Sequence, residues 1–220
     1  MTTTPESVRQ LLASENFGDR IRGINQLSQL EPAIAFELVQ PVISDANDRV
    51  RYSAVSKLAS LGTQDLAASL EILRDRLHND SELDVKAAAA DALGALKLTE
   101  ALEDLQQLYQ ASSDWIIKLS VVAALGSMGD ARGFEILADA LQAQEELVQS
   151  MALGALGELG DERAIPLLLP FVTCDDWQIR FRVAQALGQF DDERTREALT
   201  TLAEDKSDQV AREAKGHLSS

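Results

Sequence analysis

The chain has 220 residues, of which 45% are hydrophobic, 25% are charged and only 5% are aromatic, and its formal net charge is −16. This composition is typical of a globular protein, whereas the negative charge argues against binding to nucleic acid or to anionic lipid. The single cysteine, Cys174, excludes an internal disulfide, and neither of the two histidines stands at metal-ligand spacing. We therefore expect no metal site.

The first residues predict a helix rather than a targeting segment. The opening MTTTPES lacks the basic and apolar regions of a signal peptide. The longest apolar stretch, Ala164–Val172, is too short to span a bilayer. We therefore expect a cytoplasmic protein. Its first helix is predicted to follow Thr4, a suitable N-cap, with Pro5 at the first helical position.

A phrase then recurs along the chain, as ALGSMGDARG at Ala124–Gly133 and as ALGELGDERA at Ala155–Ala164. Its leucine belongs to a series of anchor leucines spaced 31 to 35 residues apart. The anchor leucines are Leu27, Leu58, Leu93, Leu125, Leu156, Leu187 and Leu218. Apolar residues three positions away accompany them, which is typical of one helix face. We term the helix that carries each anchor leucine helix B.

A break and a second helical pattern, which we term helix A, separate successive B helices. Glycines in the breaks are expected to end helices in the left-handed conformation, at Gly62, Gly129 and Gly160. Acidic residues are expected to cap the following helix, at Asp130, Asp161 and Asp192. From Thr4 to Leu218 the pattern gives seven A–B pairs.

Stacking is the way for such pairs to bury their apolar faces, because one pair cannot do so alone. The sequence therefore predicts an all-α fold, a right-handed α-solenoid of about seven short helix pairs. We expect one domain over residues 1–220. The signatures of ankyrin, tetratricopeptide and leucine-rich repeats are absent.

A basic residue stands seven positions before most of the anchor leucines. These bases are Arg20, Arg51, Lys86, Lys118 and Arg180, and the series is interrupted by Gln149 and Ala211. Two interpretations stay open. Each base can pair with an aspartate of a neighbouring turn to form a structural ladder, or it can face a groove and hold an acidic ligand.

Further bases and aromatic residues lie beside this series. Arg22, Arg49 and Arg182 stand two positions from ladder residues, on a different helix face. With Tyr52 they are candidates for a local cationic site. Eight of the 20 basic residues lie within the first 80 residues, and this charge placement favours the N-terminal three pairs as the main recognition surface. Trp115 and Trp177 can staple a helix start or stack on a flat ligand. No catalytic motif is visible.

The phrase L-G-x-x-G-D resembles the short HEAT-like repeat of phycobilisome-associated proteins, the phycobilisome lyase family. The matching residues are Leu125–Asp130 and Leu156–Asp161, while Asp48–Arg51 and Trp177–Arg180 supply the opening half of the repeat. Units of about 31 residues are shorter than ordinary HEAT repeats of roughly 40–47, and short units are typical of this family. Residues 17–62 and 86–105 are similar to cyanobacterial phycobilisome-degradation proteins.

The resemblance implies a factor that dismantles or remodels the light-harvesting antenna under nutrient stress. Phycobiliproteins or other antenna proteins are the implied partners, with peripheral association with phycobilisomes at the thylakoid. Relatives attach, detach or transfer open-chain tetrapyrroles, so a bilin is the implied ligand of the basic and aromatic residues, without an intrinsic cofactor. Two alternatives stay open: a bilin lyase or chromophore-detaching enzyme, and an adaptor unrelated to photosynthesis.

Overall fold

The computed structural model describes residues 3–219, which form helices and their connections without any strand. Seven A helices alternate with seven B helices along these residues. The A helices are α1 (Pro5–Leu12), α3 (Pro32–Val39), α5 (Leu66–Asn79), α7 (Leu102–Ala111), α9 (Phe134–Ala140), α11 (Ile165–Leu168) and α13 (Glu193–Leu202). The B helices are α2 (Phe17–Gln26), α4 (Asp48–Leu61), α6 (Leu83–Ala95), α8 (Trp115–Met128), α10 (Glu146–Leu159), α12 (Trp177–Leu187) and α14 (Asp208–Leu218). The predicted all-α fold of seven pairs is confirmed.

The described residues form two compact units, one up to Ala124 and one from Leu125, so the division falls inside α8. In the first unit α2 packs against α4 and α4 against α6, and α1, α3 and α5 pack against the B helices of their own pairs. In the second unit α10 packs against α12 and α12 against α14. Each unit is thus a stack of helix pairs. The single domain over residues 1–220 stays a prediction.

The anchor leucines lie in the core of each stack. Six of them are buried: Leu27, Leu58, Leu93, Leu125, Leu156 and Leu187. The residues three positions before these six are buried as well, from Ile24 in α2 to Ala184 in α12. Leu218, at the end of α14, is exposed. The apolar period of 3.6 residues therefore marks the face on which successive pairs stack.

The glycine after an anchor leucine brings successive B helices into close approach. A Cβ added to Gly94 would lie 2.5 Å from the Cα atom of Ala124, and one added to Gly157 would lie 2.6 Å from the Cα atom of Ala186. Backbone at that distance leaves no room for a side chain in a close-packed interior. These glycines set the distance between neighbouring B helices, a role that the sequence pattern did not indicate.

The glycines of the breaks behave in two ways. Gly129 and Gly160 have φ angles of 67° and 66°, the left-handed conformation that was predicted. The prediction is wrong for Gly62, whose φ is −64°. There the chain continues into a 3₁₀ turn, Gly62–Gln64. A Cβ at Gly62 would lie 2.6 Å from the side-chain Cδ1 of Leu96 and 2.9 Å from Ser69 Oγ, so close side-chain packing, and not backbone conformation, favours a glycine here.

Several of the predicted caps are present at the helix starts. Thr4 and Ser7 form a reciprocal capping box with Pro5 in the first turn of α1. The carboxylates of Asp130, Asp161 and Asp192 each accept a hydrogen bond from the backbone N–H two residues further on. Where a break begins with a short 3₁₀ turn, the aspartate caps that turn, as Asp130 and Asp161 do.

Prolines shorten two of the A helices. α11 spans only Ile165–Leu168 and continues as the 3₁₀ segment Leu169–Thr173, which contains Pro170. α3 changes in the same way at Gln40–Val42, around Pro41. Proline has no N–H to donate, so it ends the α-helical hydrogen-bond pattern. Among residues 3–219, no helix is long and apolar enough to cross a membrane.

Candidate functional site

Arg51 of α4 forms a bidentate ion pair with Asp80, which lies in the turn before α6. Its Nε and Nη2 atoms donate to the two carboxylate oxygens, both at 2.8 Å. Its Nη1 atom donates to the backbone oxygen of Asp45 at 3.0 Å, in the turn before its own helix. The Asp80 side chain is 1% exposed. Arg51 therefore ties its own turn to the turn of the next pair.

The same arrangement occurs in α2 and in α12. Arg20 Nη2 donates to Asp45 Oδ1 at 2.9 Å, and Arg20 Nε lies 2.8 Å from Asp45 Oδ2 without hydrogen-bond geometry. Arg180 Nε and Nη2 donate to the two carboxylate oxygens of Asp205 at 2.6 and 2.9 Å. Arg180 Nη1 also donates to the backbone oxygen of Cys174. Hydrogen bonds from Arg180 hold the pKa of Asp205 below its usual range, against the opposing effect of burial.

At three other ladder positions, the side chain contacts a residue of its own helix pair. Lys86 Nζ donates to the backbone oxygen of His78 at 3.0 Å. Gln149 Nε2 makes the equivalent bond to the backbone oxygen of Leu141 at 2.8 Å. Lys118 Nζ lies 5.1 Å from the centre of the Tyr109 ring, a cation–π contact. The geometry of the series thus favours the structural ladder, and it leaves Arg20, Arg51 and Arg180 committed to protein partners.

The second members of the basic doublets lie on the surface. Arg22 makes an exposed ion pair with Asp19 at 2.9 Å. Arg182 donates to the side-chain oxygen of Gln185 at 3.0 Å. The Arg49 side chain is exposed and makes no hydrogen bond or ion pair with the described residues. Of the candidate bases, these three have guanidinium groups on the surface, where another molecule can contact them.

Arg49 and Tyr52 line an open groove of about 330 Å³ in the first unit, between α4, α6 and α8. Tyr52 is 48% exposed. The floor of the groove is apolar, and it is formed by Val85, Ala87, Ala88 and Ile116. Its polar lining consists of Asp48, Glu82, Asp84, Asp91 and Ser120. This groove, which we term the α6 groove, brings together two of the predicted site residues from one helix.

Asp91 is the α6 carboxylate that is most affected by its surroundings. Asp91 is an exposed residue, but partial burial of its carboxyl group raises its pKa, and a hydrogen bond with Ser120 opposes this rise. Asp48 and Asp84 are exposed and make no ion pair. The α6 groove therefore carries a negative potential, although it contains Arg49.

The two tryptophans each begin a B helix and are 41% exposed. Trp115 starts α8 and Trp177 starts α12. Trp177 lines a second groove, of about 410 Å³, together with Leu147, Phe181 and Arg182. We term this cavity of the second unit the α12 groove. Leu147 is 61% exposed at its edge. The structure thus places Arg182 and Trp177 together, while Trp115 lies outside the lining of both grooves.

The remaining reactive side chains do not assemble into a centre. Cys174 is a free, half-buried thiol in the turn before α12. His78 lies 2.8 Å from Asp104, and His217 lies 3.4 Å from Glu213. In the part of the chain that the structure describes, no three His, Cys, Asp or Glu side chains are grouped to hold a metal ion.

Sequence reasoning missed the residues that make the α6 groove acidic. Asp84 and Asp91 were not singled out, because carboxylates are abundant in this chain and a helix start favours them. The usable signal was the spacing of Asp84, Ala87, Ala88 and Asp91, which places two carboxylates and two small apolar residues on one face of α6.

Comparison with known families gives three overlapping matches to HEAT repeats, over residues 5–94, 70–150 and 134–216. Comparison with curated proteins gives no match. Among solved structures, E. coli YibA has a TM-score of 0.70 at 17% identity, covering 99% of this chain and 82% of that one.

Two further structures have similar scores. The complex of CpcE and CpcF of phycocyanin lyase from Nostoc sp. PCC7120 has a TM-score of 0.62 at 22% identity, covering 100% of this chain and 95% of that one. An archaeal HEAT-like repeats protein from Thermococcus onnurineus NA1 has a TM-score of 0.61 at 13% identity, covering 99% and 96%. Similarity at these identities concerns the fold. The stacked helix pairs and the family matches, which span nearly all of the described residues, place this chain in the HEAT-repeat family.

Proposed function

We propose that this chain is a HEAT-repeat scaffold in phycobilisome degradation or antenna remodelling, which binds phycobiliproteins or their bilin chromophores. Two similarities support the proposal. The sequence of residues 17–62 and 86–105 resembles the phycobilisome-degradation protein NblB. The fold is similar to a chain of the CpcE–CpcF complex of phycocyanin lyase.

The observation that carries the binding role is the α6 groove. Stacked repeats bury their apolar faces against each other, yet here Tyr52 remains 48% exposed above an alanine floor. Exposed aromatic rings and arginines next to apolar depressions are the residues that dominate protein interfaces. Arg49 lies in the same groove and is not engaged by the protein. The groove is thus a recognition surface in the N-terminal half of the chain.

Binding of purified phycocyanin to the immobilised chain tests the proposal. We expect saturable binding that the double variant R49A/Y52A weakens by about thirtyfold, since two interface contacts worth roughly 1 kcal/mol each are lost. The matched control is W177A/R182A, which removes an aromatic ring and an arginine from the α12 groove. If phycocyanin does not bind, the proposal is wrong. If only the control loses binding, the recognition surface lies in the second unit.

A second candidate function is a bilin lyase or a chromophore-detaching activity, which the likeness to phycocyanin lyase favours. It predicts a change in the visible absorbance of phycocyanin after mixing, because the spectrum depends on how the tetrapyrrole is attached and held. Binding with an unchanged spectrum supports the scaffold, whereas a progressive spectral change supports the enzyme. An adaptor unrelated to photosynthesis would show neither.

A further inference from the structure

The α6 groove has an excess of negative charge, which favours the protein partner of the proposed function over a free bilin with its anionic propionates. Four carboxylates line it, from Asp48, Glu82, Asp84 and Asp91, against one guanidinium, from Arg49. Arg51 is bound to Asp80 and attracts Asp48 and Glu82 from there, whereas Asp84 and Asp91 form no ion pair with the described residues. An anionic group that enters this groove would be repelled by the carboxylates, whereas a cationic group would be attracted.

The shape of the groove suits the side chains of basic residues. Lysine and arginine have apolar stems that can lie on an apolar surface while the charged head reaches a carboxylate. In the α6 groove the floor is Ala87 and Ala88, and carboxylates stand on either side of it, at Asp84 and Asp91. The exposed ring of Tyr52 offers a further favourable contact to a cation.

We propose that the α6 groove docks a basic segment of a partner protein, with lysine or arginine heads at Asp84 and Asp91 and apolar side chains on the alanine floor beside Tyr52. The inference rests on the proposed scaffold function and specifies the chemistry of what the groove accepts. Arg49, which also lines the groove, contributes selectivity because it repels a base that is placed beside it.

Fluorescence anisotropy with two labelled peptides tests the assignment on the full chain. The first peptide alternates lysine with leucine, and the second carries glutamate in place of each lysine. We expect the lysine peptide to bind in a salt-sensitive way and the glutamate peptide not to bind. The variant D84N/D91N should weaken lysine-peptide binding by about 3- to 30-fold, the range expected for the loss of two largely exposed ion pairs.

The matched control is E71Q/E103Q, which removes two exposed carboxylates of α5 and α7 in the same unit. Thermal melting of both variants verifies that they remain folded. Equal weakening by the two variants would mean a non-specific attraction to the acidic surface and would overturn the assignment, as would binding of the glutamate peptide. Phycocyanin is titrated in parallel. Peptide binding without phycocyanin binding rejects only the proposed function, and phycocyanin binding that D84N/D91N leaves unchanged rejects only the basic occupant.

Discussion

Arg180 and Asp205 are joined by two parallel hydrogen bonds, Nε to Oδ2 at 2.6 Å and Nη2 to Oδ1 at 2.9 Å, although both side chains are at least nine-tenths buried. The aspartate stands two residues before the N-cap of the next B helix, Ser207, and it also accepts that turn's backbone N–H at 2.8 Å. One carboxylate thus organises a turn and receives the arginine of the preceding pair. Such bidentate, charge-assisted pairs are stronger than neutral hydrogen bonds.

Loss of Arg51 is expected to destabilise the fold. R51A leaves the buried carboxylate of Asp80 without its bidentate partner, and hydrogen bonds to charged groups contribute about 1.5–3 kcal/mol each. We expect the free energy of unfolding to fall by about 2–3 kcal/mol in chemical denaturation. The control R49A removes an arginine of the same helix that binds no described residue, and it should change stability by less than about 0.5 kcal/mol. Equal effects would contradict a structural role for Arg51.

Stability should decrease in acid partly because of Asp205. Arg180 lowers the pKa of this carboxyl in the folded protein below its ordinary value of 3.8. The stabilisation is therefore fully present above about pH 4 and is lost as pH falls through the lower, folded-state pKa. D205N should be less stable than the wild type at neutral pH, and the difference should narrow towards pH 2.5 in thermal melting. D191N removes an exposed carboxylate, and its stability should fall with decreasing pH in parallel with that of the wild type.

An Arg–Asp pair of the ladder can be introduced at a position of the second unit that lacks one. Gln149 occupies a ladder position, and Cys174 occupies the place of the aspartate two residues before the next N-cap, Asp176. The double variant Q149R/C174D should form the Arg–Asp pair seen at Arg180. A double-mutant cycle should give a favourable coupling of about 1–3 kcal/mol in chemical denaturation. Additive effects of the two single variants would mean that an arginine and an aspartate at these two positions do not form the ion pair.

Two glycines of α10 should respond to alanine in opposite directions. A Cβ at Gly157 would lie 2.6 Å from the Cα atom of Ala186, so G157A must push two helices apart, at about 1–3 kcal/mol. A Cβ at Gly154 would meet nothing within 4 Å. G154A should therefore raise stability by up to about 1 kcal/mol, because alanine loses less backbone entropy in a helix. Thermal melting of both variants compares them, and a destabilised G154A would show that the open space has another role.

The helix pairs could be predicted because each depends on short-range patterns. The anchor leucines and the capping residues act within one or two turns of chain, so the residues themselves define the elements. The ladder was visible in part. Arginine stands where the next turn supplies Asp45, Asp80 or Asp205, while the equivalent turn positions Ser112, Ala143 and Cys174 follow Lys86, Lys118 and Gln149. This correspondence can be seen in the sequence once the turns of the repeats are aligned. It favours paired charges over ligand binding as the role of the ladder arginines.

The α6 groove and the α12 groove could not be predicted in the same way. Each depends on which side chains of neighbouring helices fail to meet, and this is settled by packing over distances of tens of residues in sequence. Carboxylates on α4 and α6 add to one potential only after the helices are stacked. The role of Gly157 was hidden for the same reason, since its neighbour Ala186 lies on another helix. Local sequence patterns therefore predict the helices, but they do not predict which surfaces stay uncovered after the helices pack.

The alanine run of α6 has a consequence for how this surface can change. Ala89 and Ala90 face the core and Ala87 and Ala88 form the groove floor, so one uninterrupted tetrad serves two different surfaces. Ala87 and Ala88 are themselves only 5% exposed, so a larger side chain at either position would have to be accommodated by the packing of the stack as well as by the groove. The depth of the α6 groove and the stability of the stack therefore depend on the same two residues, and a lineage that fills this surface with larger side chains must also repack the helices around it.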